Sequence, residues 1–177
     1  MSSTIGVQNI AHTNGTNAMT VASDGGVYVK DHVLQVKNFQ TGALNSGTEN
    51  IPWDNTIPQI TEGKEYMTLS ITPKSSLSKL LIEVIVNGSR STNGDSMVAL
   101  FVGTTVDALA VSNIYATAGW RNQFALNYFM TAGTTSELTF RVRAGGHAGT
   151  FTFNGHTGTG VMGGTLMSSI TITEIGG

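Results

Sequence analysis

Along most of this chain apolar and polar residues alternate with a period of two, the mark of strands with one covered face. Met67, Leu69 and Ile71 alternate with Thr68, Ser70 and Thr72, and Leu138, Phe140 and Val142 alternate with Thr139, Arg141 and Arg143. Phe124, Leu126, Tyr128 and Met130 share one face of another such segment. Phe151 and Phe153 alternate with Thr150 and Thr152, and Ile170 and Ile172 with Thr171 and Thr173. Residues 80–86 and 97–102 are apolar on both faces. Strands covered on two sides read this way, so these are expected at the sandwich centre or in a subunit interface. Roughly eight strands at this spacing predict an all-β chain, an antiparallel jelly-roll-like β-sandwich.

Residues 1–32 have a different texture. Ile5, Val7 and Ile10, then Met19 and Val21, then Val27 and Val29 form brief apolar groups, separated by Asn14-Gly15 and Asp24-Gly25. Those dipeptides supply the positive φ angles of hairpin turns. Strands this short cannot bury a core alone. The expectation is an N-terminal attachment or trimerisation arm over 1–32 and a β-sandwich domain over 33–177. Residues 42–65, with Pro52 and Pro58, predict an ordered loop containing short edge segments, whose Ile51, Trp53, Ile57 and Ile60 need cover. Only residues 107–115 have a briefly helical texture.

Composition narrows the function classes. Charged residues make up 11% of the 177, with 22 glycines, against about 25% charged in an ordinary soluble domain. A net charge of −2 with singly scattered basic residues gives no pull toward nucleic acid. No run reaches the roughly 18 apolar residues of a membrane span, so no membrane insertion is expected. The first residues lack the basic end and apolar stretch of a secretion signal, which predicts synthesis and use without classical export. The absence of cysteine removes disulfides and thiolate metal sites.

Little of the sequence suggests catalysis. Serines are plentiful, but none sits in a Gly-x-Ser-x-Gly elbow. Glu62 and Glu65 form a close carboxylate pair, which on a strand or loop is expected to face solvent; catalytic carboxylates usually come from separate segments. Neither catalytic residues nor an enzyme activity is expected. A doubled pentapeptide, Gly146-His147-Ala148-Gly149-Thr150 and Gly155-His156-Thr157-Gly158-Thr159, could bring two imidazoles together. No acid or cysteine accompanies them and the spacing matches no metal signature, so glycine-rich turns without metal or cofactor are expected. Arg141 and Arg143 can hold an acidic ligand or simply keep a strand face soluble; solubility is the default. Trp120 and Arg121, with Tyr115 and Tyr128 nearby, have the chemistry of a sugar platform: aromatic faces stack on sugar rings and guanidinium donates to hydroxyls. Trp120, Arg121 and Tyr128 are the ligand-binding candidates, although a Trp at a strand start is more often core or interface. Asn14-Gly15-Thr16 and Asn87-Gly88-Ser89 match the glycosylation pattern but read as turn chemistry.

The arm from Asn9-Ile10-Ala11-His12-Thr13-Asn14-Gly15-Thr16 through Ala18-Met19-Thr20-Val21 and Asp24-Gly25-Gly26-Val27 resembles segments of structural and tail-fibre proteins of marine and environmental tailed bacteriophages. The body is similar to a C-terminal domain of such proteins at Ile57-Pro58-Gln59, Thr61-Glu62-Gly63, Leu69-Ser70-Ile71-Thr72-Pro73-Lys74-Ser75 and Ser169-Ile170-Thr171-Ile172-Thr173-Glu174-Ile175. The resemblance implies a virion protein made in the cytoplasm of a host bacterium, homotrimeric, without catalysis, in contact with other capsid or tail proteins. The chain has no heptad repeat, collagen repeat or long β shaft. That favours a short fibre, spike or capsid decoration subunit. The alternative is a carbohydrate-binding receptor-recognition module of a tail fibre, acting in host adsorption on a surface glycan.

Overall fold

A computed structural model describes residues 6, 9–11, 13–15, 17–21, 27–29 and 31–177. Three short strands come first, β1 (Asn9–Ala11), β2 (Asn17–Val21) and β3 (Val27–Val29), paired antiparallel in chain order. Gly15, at φ +85°, closes the first hairpin, as Asn14-Gly15 predicts. The Asp24-Gly25 turn lies outside the described residues.

The body continues with β4 (Val33–Thr41), β5 (Asn45–Gly47), β6 (Lys64–Ile71), β7 (Lys79–Arg90), β8 (Gly94–Val102), β9 (Ala110–Ala116), β10 (Arg121–Thr131), β11 (Leu138–Gly146), β12 (Phe151–Phe153), β13 (Gly155–His156), β14 (Thr159–Gly160) and β15 (Ser168–Ile175). One sheet runs β4-β15-β7-β12-β5, with β10 on the other side of β7; the second runs β6-β11-β8-β9. All pairings are antiparallel. The fold is the all-β, jelly-roll-like sandwich that the alternation predicts. Residues 107–115 are not helical: β9 pairs with β8 from Gly94↔Ala116 to Leu100↔Ala110. A free sheet edge beside β8 overrides the weak helical preference of the alanines and Leu109.

The inner faces meet in one core. Leu80, Ile82, Val84 and Val86 of β7 face Phe124 and Leu126 of β10, Ile170 and Ile172 of β15, and Val98, Leu100, Phe140 and Val142 of the second sheet. Burying each such side chain stabilises the fold by about 1.5–3 kcal/mol. The other face of β8 has a separate cover. Met97, Ala99 and Phe101 pack on Ile51, with Ile60 and Ala108 alongside.

Residues 48–63 form the strap that carries Ile51 across this face. Ile51 N–H donates to Gly146 O (3.2 Å), Ala108 N–H to Pro58 O (2.9 Å) and Ile60 N–H to Val106 O (2.8 Å). At Gly145 a Cβ would run into the backbone oxygen of Glu49, so only glycine lets the strap lie this close. The apolar outer face of residues 97–102 is therefore covered by the chain itself, which corrects the expectation of a subunit interface there. Trp53 and Ile57 are a second correction: the strap buries Ile51 and half-buries Ile60, but leaves those two exposed.

Tyr66 stacks on Phe153 (4.8 Å between ring centroids, 15° between planes), and its hydroxyl donates to Phe151 O at 3.3 Å. Burial, with the Glu49 carboxylate adding to it, pushes the Tyr66 phenol well above its ordinary value. The folded state then keeps a proton that the unfolded chain loses near pH 10. Stability from this group is complete below that pH and falls as pH rises above it, by at most about 1.4 kcal/mol per pH unit. Urea midpoints of the wild type should decline from pH 10 upward more steeply than those of Tyr66→Phe; parallel curves would rule the mechanism out.

Candidate ligand site

The turn between β9 and β10 presents Trp120. Gly119, at φ +78°, donates its N–H to Arg90 O (2.8 Å), and Trp120 N–H donates to Thr117 O (3.0 Å). Asn93 Oδ1 accepts from Ala118 N–H at 2.8 Å. These bonds fix the backbone, yet the indole is 68% exposed. Trp120 is therefore not a core residue of the single chain.

Arg121 opens β10 and pairs with Ser89 of β7, which pairs on its other side with Thr152 of β12. Partners in register share a face, so Arg121, Ser89 and Thr152 form one row. The β13–β14 hairpin lies over that row: Thr157 N–H donates to Ser89 Oγ (3.1 Å) and Gly158 N–H to Thr152 Oγ1 (2.9 Å). This brings His156 beside Gly119, where a Cβ would stand 3.3 Å from its Nε2. His156 Nδ1 is 3.2 Å from Thr157 Oγ1. Gly119, Trp120, Arg121 and His156 line an open depression of about 490 Å³.

Of the sequence candidates, Trp120 and Arg121 come together and Tyr128 does not join them. Tyr128 lies farther along β10, opposite Ile82, and packs against the main core. No local signal makes His156 their neighbour: only the shared pairing of β10 and β12 with β7 brings the two segments together. His147 serves a different place, with Nδ1 3.5 Å from Arg90 Nη1. Among the described residues no three His, Cys, Asp or Glu side chains are grouped to hold a metal.

The remaining charged candidates are engaged internally. Arg141 Nη1 lies 3.1 Å from Glu65 Oε1, and Arg143 Nη1 3.5 Å from Glu65 Oε2. Arg143 also donates to Glu62 O (2.8 Å) and Gly63 O (2.6 Å), tying down the end of the strap. Glu62 Oε2 accepts from Gln59 N–H at 2.9 Å. Asn87-Gly88-Ser89 is not a turn but lies within β7.

A family model described as the Pgp3 C-terminal domain matches residues 39–176. The chain belongs to that family. No curated protein matches it significantly. Among solved structures, this Pgp3-type domain is similar to the Eiger TNF of S. frugiperda, at 12% identity and a TM-score of 0.45, over 78% of this chain and 92% of that one. It is also similar to the T13 particle of infectious bursal disease virus, at 14% identity and a TM-score of 0.42, over 84% and 39%. A third likeness is to dimeric latent PorU of Porphyromonas gingivalis, at 10% identity and a TM-score of 0.39, over 92% and 15%. The chain thus spans well under half the length of the last two.

Proposed function

We propose that this Pgp3-type chain is a homotrimeric, non-enzymatic structural protein of a tailed-phage virion, a short fibre, spike or capsid decoration subunit. The observation that carries the self-association is a row of side chains on the outer face of the larger sheet. Val36 pairs with Thr173, Thr173 with Leu81, and Leu81 with Phe129, so one row crosses four strands. Val36 is 55% and Phe129 57% exposed. A second row, Ile85 with Ala125 and Ser169, runs parallel to it beyond the polar residues Glu83, Asn127 and Thr171. Closed three-fold packing would cover such a face without leaving an open edge. The virion setting rests on the resemblance of the arm and body to phage proteins.

Sedimentation equilibrium of the wild type should give three times the 18.6 kDa chain mass. Phe129→Glu should dissociate it while the circular dichroism stays that of a folded sandwich, since losing a buried interface aromatic costs about 2–4 kcal/mol. A wild type that is only monomeric at micromolar concentration would sink the trimer. Mass spectrometry of purified particles tests the virion setting separately. The second reading, a carbohydrate-binding module in host adsorption, is favoured by the Trp120 depression.

A further inference from the structure

We propose that the depression of Trp120, Arg121 and His156 binds a pyranose that carries a carboxylate, the chemistry of uronic and sialic acid residues in surface glycans. The inference rests on the adsorption reading of this depression and not on the trimer. An exposed indole on a backbone fixed by three hydrogen bonds offers a flat apolar face with little further ordering to be done on binding. The Arg121 guanidinium has no ion-pair or hydrogen-bond partner among the described residues, so its planar donors are available to a carboxylate. The lining holds no acid, and a carboxylate meets no like charge there. The second depression, beside Lys64, differs: Lys64 Nζ already donates to Ser46 O (2.6 Å) and Asn45 Oδ1 (3.0 Å), and Glu49 lines it. A single-stranded nucleic acid could also stack on an indole, but the net charge of −2 disfavours a polyanion.

The test uses the full chain with Trp53→Phe, which leaves Trp120 as the only indole of the two. Oligosaccharides containing glucuronate or sialate should produce a saturable fluorescence change, with neutral oligosaccharides of matched length binding at least tenfold more weakly. In calorimetry, Trp120→Ala should abolish binding while sedimenting as the wild type does. Arg121→Gln should weaken the carboxylated ligands at least tenfold more than the neutral ones. Equal affinity for neutral and carboxylated sugars overturns the ligand class while leaving a sugar site standing. No saturable change with either overturns both the inference and the adsorption reading. Tighter binding of a single-stranded oligonucleotide, or a changed oligomeric state in Trp120→Ala, also overturns the proposal.

Discussion

Asn154→Ala should lower the unfolding free energy by about 4 kcal/mol, three hydrogen bonds at about 1 kcal/mol each plus about 1 kcal/mol of backbone strain. Asn154 is 2% exposed and stands at φ +52°. Its Nδ2 donates to Thr41 O (2.8 Å) and Ala43 O (3.3 Å), and its Oδ1 accepts from Ser168 Oγ at 2.6 Å. Ser168 Oγ in turn accepts from Asn87 N–H at 2.9 Å. One side chain thereby joins the end of β4, the start of β15 and the middle of β7, just before the hairpin that carries His156. Asn154→Gly should recover about 1 kcal/mol of the loss, because glycine adopts this conformation freely. Urea unfolding checks both, and an Ala variant within 1 kcal/mol of the wild type would defeat the account.

Arg90→Ala is expected to cost about 3–5 kcal/mol, since a hydrogen bond from a charged group is worth about 1.5–3 kcal/mol and truncation leaves buried carbonyls without their donor. Arg90 is 1% exposed. Its guanidinium donates to the carbonyls of Asp95 and Ala148 and to Thr92 Oγ1, while Nε has no partner among the described residues. Burial lowers its pKa from the ordinary arginine value, opposed by the charges of Asp95 and Tyr115. Arg90→Lys should recover little, since one ammonium cannot span acceptors on two separate segments. Thermal or urea unfolding of both variants decides this; a Lys variant as stable as the wild type would show that charge alone is needed.

The alternation made most strands and their inward residues legible. It even aligns Glu174 with Ile170 and Ile172, and this carboxylate is buried, accepting from Gln35 Nε2 (2.6 Å) and Lys74 N–H (2.7 Å). Asn154-Gly155 has the composition of a turn, but no local pattern marks Asn154 as buried. Local signals failed where a distant segment supplied the partner. The 97–102 strand reads the same whether its second cover is a sister chain or a strap from residues 48–63.

By itself, then, the sequence determined the all-β class, the inner face of each long strand and the pairing of Trp120 with Arg121, because period and adjacency are local properties of the chain. The tertiary structure alone decided that the strap covers β8, that Tyr128 belongs to the core, that Arg141 and Arg143 hold Glu65, and that His156 stands beside Trp120. Each of these depends on which strands neighbour one another, and strand order is set by the whole core's packing rather than by any segment's own pattern.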